Sequence, residues 1–538
     1  MHKCNVLLGV LAGGILFCAG CSGSTEPNVT TATPPNPSAL DVQLRQLAQQ
    51  NGVTPLDNPI PTDPPNGSAR AQIFLGQQLF RDKAISGNAS ISCNSCHTTA
   101  QNLGDGMSIG VGQDAQGTAP FRRNGFQTGF LNTSGLRVPY FHRNSMPLFN
   151  VGSEFWRVRL WDGRVQEGTQ TIGNLESNGQ FISPAGNLLP LGFDNVTAVL
   201  ECFPPTTDRE MLGNIGDHRR NPQDTMVYTG PLNEVASAGI SQVEGTQEGS
   251  DPEFADQIGA IMGRLSGPLN LAGEPNPYIE LFQAAYGHPP INGPQGYVDV
   301  GNAMSAFLKV AFTYINSPFE QYLRGDDTAL NAQEKRGMLV FFTNGRCVAC
   351  HNGPLLTDQD FHNIGVPQIG PGNIAGLDST APNGEIATKS DYGRFGRTLI
   401  ESDKFKFRTP TLHSTALTGP FMHDGTFFTL EAAVRHHLNV QGSFQTYNAA
   451  QVFPQQLLDP NLGGGPVNRD PILTTNLDPV VANGIPLTEE EIQDLLAFLN
   501  ALTDPAALTT LDRANPTGRF ATISPSGMPI SDSFGGNP

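Results

Sequence analysis

Five stretches of the chain carry apolar residues at helical spacing, and four of them form related pairs. Arg70 to Phe80 contains Gly76 and the Leu79–Phe80 pair; Glu334 to Phe342 contains Gly337, Leu339 and the Phe341–Phe342 pair. Each predicts a short amphipathic helix running into a loop. Asn302 to Ile315 gathers Ala303, Ala306, Phe307, Val310 and Ala311 on one face. Thr488 to Leu502 opens with a capping box of Thr488 and Glu491 and carries Ile492, Leu495, Leu496 and Leu499 as its stripe. The fifth, Thr429 to Leu438, presents Leu430, Ala433, Val434 and Leu438. Between them the chain is rich in Gly, Asn and Pro, notably at 168–195, 365–392 and 441–484. Such long irregular stretches are functional or covering loops more often than structureless spacers. The pattern predicts a mainly α protein built twice, with long irregular loops and little β.

The chain's first residues change the picture more than its bulk composition does. Lys3 precedes an apolar run from Asn5 to Phe17, which is too short to span a bilayer, and Cys18-Ala19-Gly20-Cys21 follows. This resembles a lipoprotein signal over residues 1–20 with Cys21 as the lipidated N-terminus, although Cys18 stands where Leu is usual. Residues 21–65 then read as a flexible linker, since Ser22 to Ser38 is rich in Ser, Thr, Pro and Asn. The expected location is the periplasm, tethered through Cys21, with plain secretion as the alternative. The net charge of −18 argues against nucleic acid and against an anionic membrane surface, and is compatible with a basic redox partner.

The chemistry is carried by Cys93-Asn94-Ser95-Cys96-His97 and Cys347-Val348-Ala349-Cys350-His351. In Cys-x-x-Cys-His each thiol adds to a haem vinyl group and the His reaches the iron. With 8 Cys and 11 His in 538 residues, composition alone gives roughly 0.002 such matches per chain, so two are a signal. Zinc or a thioredoxin-like pair would suit a lone Cys-x-x-Cys. Zinc, however, wants a second such pair nearby, and neither motif has one. Once the signal, Cys21 and the four haem thiols are set aside, only Cys202 remains, so no intramolecular disulfide is expected. Haem domains are expected at 66–300 and 301–520, with a tail at 521–538.

Further strings complete a resemblance: Leu75 to Phe80, Arg143-Asn144-Ser145, Leu160-Trp161-Asp162-Gly163-Arg164, Phe361 to Gly365, Phe407 to Leu412, and Pro420-Phe421-Met422-His423-Asp424-Gly425. In this order they resemble the bacterial dihaem cytochrome c peroxidases and the related MauG-type dihaem oxidases over nearly the whole mature chain. The resemblance implies that hydrogen peroxide meets the haem on His97, while the haem on His351 is six-coordinate and passes electrons. Glu210, in Phe203 to Gly213, matches the family's distal acid–base, with Asp208 as fallback. Trp161 matches the tryptophan between the haems. Asn144 by its side chain, and Thr418 and Pro420 by their carbonyls, match the ligands of an inter-haem calcium. A small cytochrome c or cupredoxin is the implied electron donor, and a homodimer is compatible with the family.

One departure is informative. The second axial ligand of the C-terminal haem should fall eight residues after Thr429, where the family has Met or Tyr and this chain has His437. The helical pattern agrees, since His437 shares the face of Leu430 while His436 points about 100° away. Met422 and His423 are its rivals. Near the first haem His142 does not match the family's switching His, so an open five-coordinate site is expected. Three functions follow: a peroxidase, which is favoured; a MauG-like oxidase acting on an external organic or protein substrate; and a dihaem electron carrier without catalysis. Glu210 speaks for the first two.

Overall fold

The two predicted entry helices form at Gly67–Arg81 and Ala332–Phe342, and each crosses a closing helix, Tyr297–Ala311 and Glu489–Ala501 respectively. The structure is a computed structural model. It describes residues 38–57, 67–87, 89, 91–98, 101–112, 115–116, 123–124, 143–167, 189–206, 210–211, 218–220, 227–232, 253–369, 390–448 and 469–509. The expected signal, Cys21, His142, Asp208 and the tail 521–538 lie outside them.

Both crossings are built the same way. A Cβ on Gly76 would stand 1.9 Å from the carbonyl oxygen of Ala303, and one on Gly337 would stand 1.9 Å from that of Asp494. Only glycine lets the backbones approach so closely. Four residues after each glycine a phenylalanine meets its counterpart on the closing helix: Phe80 on Phe307 with ring centroids 5.5 Å apart, and Phe341 on Phe498 at 5.3 Å. Such pairs add about 0.5–1.5 kcal/mol beyond the area they bury. The Thr488–Glu491 capping box opens the last helix as expected.

Three expectations need correction. The first closing helix starts at Tyr297, not Asn302, because Tyr297, Val298 and Val300 are buried as well. Its core continues through Phe312 and Tyr314, and the second core takes over at Phe319. The boundary expected near residue 300 therefore falls inside a packed helix. The Ser317 side chain then caps the next helix, Pro318–Leu323.

Second, part of the linker expected over 21–65 is ordered. Ala39–Gln50 is a helix opened by a Ser38–Asp41 capping box, and Leu44, Ala48 and Val53 enter the C-terminal core. The Asp41 carboxylate meets Lys335 Nζ at 2.7 Å and the Tyr322 hydroxyl at 2.9 Å. Arg45 pairs with Asp327, and the amide of Gly353 donates to the carbonyl of Asn51 at 3.2 Å, just past the second haem motif. Third, the irregular stretch expected from residue 441 contains the helix Val440–Thr446, which buries Val440 and Phe444.

Strand is confined, among the described residues, to two-stranded antiparallel pairs. Two of them position the site. Val158–Arg159 pairs with Val165–Gln166, placing Trp161 to Arg164 in the turn. Phe361–His362 pairs with Phe407–Arg408, and the Arg408 amide donates to the Trp161 carbonyl at 2.8 Å. The turn needs positive φ at Leu160 and Gly163, and a Cβ on Gly163 would lie 2.3 Å from Phe361 Cζ. Beneath it Asp162, 1 % exposed, meets Arg143 Nη1 at 2.9 Å, Arg397 Nε at 3.0 Å and Arg164 Nε at 3.1 Å. Arg143 also grips Asp391 through two bonds of 2.6 and 2.9 Å. Burial alone would raise the Asp162 carboxyl, but the guanidiniums hold it well below the usual range.

Two outcomes are expected. Gly76→Ala or Gly337→Ala should lower stability by about 3 kcal/mol through overpacking at the crossing, read by denaturant unfolding. Asp162→Asn should cost about 3–5 kcal/mol, because it leaves buried guanidiniums without a counter-charge. The folded pKa of Asp162 is depressed, so its contribution is complete above the unfolded value of about 3.9 and is lost as pH falls through the folded one. The stability gap between wild type and D162N should therefore shrink on acidification. A gap that widened would contradict the assignment.

Candidate active site

Each half of the fold encloses a cavity over its haem motif, with about 1200 Å³ of open space in the first and 1270 Å³ in the second, mouths included. The first is lined by Cys93, Cys96 and His97, by Phe80 and Leu308 from the crossing helices, and by Arg159, Glu201, Glu210 and Met211. The second is lined by Cys347, Cys350 and His351, by Phe341, Leu495 and Leu499, and by Phe407, Met422, His423 and His437. Trp161 lines both.

Both motifs wind into one turn. The His97 amide donates to the Cys93 carbonyl at 3.0 Å, and the His351 amide to that of Cys347 at 2.9 Å. His97 Nδ1 lies 3.2 Å from the Leu103 carbonyl, His351 Nδ1 lies 3.1 Å from that of Leu356, and His437 Nδ1 lies 2.8 Å from that of Ala433. In all three the carbonyl selects the Nδ1–H tautomer and leaves the Nε2 lone pair for a metal. Burial lowers the pKa of His97 and of His351 to about 4, so both are neutral, as iron ligation requires. Among the charge neighbours that act on His351, His437 has the largest effect, ahead of Asp358 and His362.

His436 behaves differently. It is fully buried, with Nδ1 3.0 Å from Ser443 Oγ and Nε2 2.8 Å from the Ile364 carbonyl, so neither nitrogen is available. Of the two rivals to His437, His423 is stacked on Phe407 with ring centroids 3.6 Å apart, and Met422 also borders the cavity.

Glu210 reaches the first cavity beside Met211, whose carbonyl accepts from the Gly87 amide at 2.7 Å. Trp161 donates its indole N–H to the Asn144 carbonyl at 3.1 Å. The Asn144 side-chain amide lies 2.9 Å from the Met107 carbonyl and 3.3 Å from that of Pro420. Two of the three expected calcium ligands therefore meet. Turning the amide over would point its oxygen at the same place, and oxygens suit that hard cation. For Thr418 the described contact is its hydroxyl donating to the Thr415 carbonyl at 3.0 Å.

The sequence reading missed four groups. Arg159 is 3 % exposed and stacks on Trp156 at 4.5 Å; its Nε and Nη1 have no partner, and it borders the first cavity. An orphaned guanidinium there fits a haem carboxylate. Arg408 stacks on Trp156 at 5.0 Å and borders the second cavity. Glu201, 7 % exposed, lines the first cavity, and burial, partly opposed by Arg159, raises it to about 7. His362 is held between Asp358 at 3.0 Å and Asp478 at 2.6 Å in the second. The apolar flanks of Arg159 and Glu201 in sequence were the signal available.

The family profile described as di-haem cytochrome c peroxidase matches residues 70–328. Cytochrome-c peroxidase IdrP1 of Denitromonas iodatirespirans is 25 % identical over 457 residues, covering 83 % of this chain and 85 % of that one. The methylamine utilization protein MauG of Methylorubrum extorquens is 23 % identical over 502 residues, covering 93 % of this chain and 94 % of that one. A solved MauG-like protein associated with microbial copper homeostasis superposes with a TM-score of 0.49 at 21 % identity, covering 87 % of this chain and 97 % of that one. With its paired haem motifs each set in its own cavity, the chain belongs to the dihaem cytochrome c peroxidase and MauG family of oxidoreductases, which carry two haem c groups.

Proposed function

We propose that this protein is a peroxidase that reduces hydrogen peroxide to water at the His97 cavity, with electrons entering through the His351 cavity. The observation that carries this is an asymmetry between two similar frames. Among the described residues the second cavity is lined by imidazoles poised for iron on two sides, His351 and His437, whereas the first offers His97 and, in place of a second such imidazole, Glu210. Among the described residues, imidazoles that would hold a haem iron from two sides are thus present in the second cavity, and the first would leave one side to Glu210. An electron carrier would want both closed.

Bound haem supplies an iron that accepts peroxide and passes electrons. The protein's own groups do the rest. Glu210 takes a proton from one peroxide oxygen and returns it to the leaving one. Trp161, bordering both cavities, is the stepping stone between them, and Asn144 holds its indole. Asn144, Pro420 and Thr418 are the proposed calcium ligands, and the cation would fix the seam beside Trp161. The donor is a small cytochrome c or cupredoxin, for which the net charge of −18 favours a basic face. The proposed location is the periplasm, tethered through Cys21; among the described residues no helix is long and apolar enough to cross a membrane.

His437 favours a second reading. Two imidazoles give a lower potential than imidazole with Met, which suits storage of oxidising equivalents by a MauG-like oxidase better than uptake from a high-potential donor. Peroxide-dependent oxidation of reduced small cytochrome c, assayed on oxidised and on half-reduced protein, decides between the two. Turnover supports the peroxidase. A lasting spectral change without turnover supports the oxidase, and silence in both returns the carrier.

Glu210→Gln should lower peroxide turnover about 10²–10⁴-fold with unchanged haem content; retained activity would remove Glu210 from its role. His437→Ala should abolish the low-spin bis-imidazole signal in electron paramagnetic resonance and leave the His97 haem unchanged. An unaltered signal would pass the ligand role to Met422 or His423.

A further inference from the structure

Peroxide reduction has a proton requirement that Glu210 alone does not meet. In H₂O₂ + 2e⁻ + 2H⁺ → 2H₂O, moving a proton from one oxygen to the other leaves the net count untouched. Two more must enter the cavity in each turnover, so a second group has to carry them.

Glu201 is placed for that work. The short helix Val196–Leu200, capped by the Asn195 side chain, leads directly into it. This helix is pressed on the closing helix: a Cβ on Gly301 would lie 2.5 Å from the Ala198 carbonyl. The Tyr297 hydroxyl donates to the Glu201 carbonyl at 3.1 Å, so its backbone is fixed from the same side. The carboxylate borders the cavity that Glu210 and His97 border, 7 % exposed, with no hydrogen bond or ion pair to it among the described residues. Arg159, from the strand packed beside it, is the cation that acts on it, but lies beyond ion-pair distance. The Cys93 sulfur, Cys202 and the Tyr297 ring face it from the motif turn, its own segment and the closing helix.

A structural carboxylate this deep would be paired or hydrogen-bonded. Among the described residues this one is neither. We propose that Glu201 is the proton-delivering carboxyl of the site, passing protons to the space that Glu210 serves and being reprotonated from solvent after each transfer. The assignment rests on the peroxidase reading. Burial, with Arg159 opposing it only in part, raises the acid to about 7, where both its forms are populated at working pH.

The test compares Glu201→Gln and Glu210→Gln in the dihaem protein. In infrared spectra of the resting protein, a protonated-carboxyl band should fade as pH rises through about 7, be absent from E201Q and persist in E210Q. With peroxide and reduced cytochrome c, E201Q should lose turnover about 100-fold, with KM little changed and the inflection near neutral pH gone. Glu201→Asp, which keeps the acid, should restore both band and inflection, and decides the matter if E201Q fails to hold haem. A band unaffected by E201Q, or a pH profile superposable on wild type, overturns the assignment of Glu201 alone. Absence of peroxide turnover in the wild type overturns the peroxidase reading and the delivery role with it.

Discussion

Thioether bonds would fasten each haem to its own half of the chain, but nothing in them would set one half against the other. That is the task of one buried carboxylate. Asp162 sits at the centre of Arg143, Arg164 and Arg397, and Arg143 extends the cluster to Asp391. Asp162 belongs to the hairpin turn that presents Trp161; Arg164 comes from the same turn, while Arg143 and Arg397 come from two other stretches of chain. Residue 143 is bound into the cluster, while residue 144 takes the indole N–H and reaches Pro420. Two consecutive residues thus join the ion cluster, the inter-cavity tryptophan and the proposed cation site. An exposed cluster of this kind would contribute little. Buried, it specifies geometry, because any displacement strands a guanidinium without its counter-charge.

The duplicated frame was legible because it repeats a local rule. A helical stripe with one glycine and a phenylalanine four residues on can be read from sequence, and both copies cross their partners at that glycine. The face that carries His437 follows from the same helical spacing, and the structure puts that residue at a cavity while committing both nitrogens of His436 elsewhere. What escaped depends on distant chain. Asp391 and Arg143 are separated by 248 positions and Arg397 and Asp162 by 235, and no periodicity links them. The Ala39–Gln50 helix was hidden by the Ser- and Pro-rich run before it, although Leu40, Leu44, Leu47 and Ala48 form a helical stripe. Arg159 and Glu201 looked like ordinary charges because their burial is created by segments that arrive later in the chain.

Identical frames do not give identical chemistry. Around the two cavities a backbone carbonyl takes the Nδ1 proton of three imidazoles and frees Nε2: His97, His351 and His437. Two of these serve the second cavity and one the first, so the frame is shared and the job is divided by what fills the fourth place. There the chain supplies carboxyls, Glu210 with Glu201 nearby. The contrast turns on single side chains added to a common scaffold, which is how a duplication can diverge without disturbing its helix crossings.

The same contrast assigns the pH response. His97 and His351 are pushed to about 4 by burial, and iron ligation keeps them deprotonated still more firmly. His362, between two aspartates, is raised to about 11 and stays charged. None of the three changes state near neutrality, although histidine is the residue usually invoked there. In the first cavity a carboxyl moved upward by desolvation, Glu201, lies near neutrality, at about 7. Proton supply at the first cavity is therefore set by how dry that carboxyl is kept, and dryness is a property of the packing of Val196–Leu200 on the closing helix. The closing helix that crosses the entry helix at Gly76 also carries Gly301, against which the segment leading to Glu201 packs.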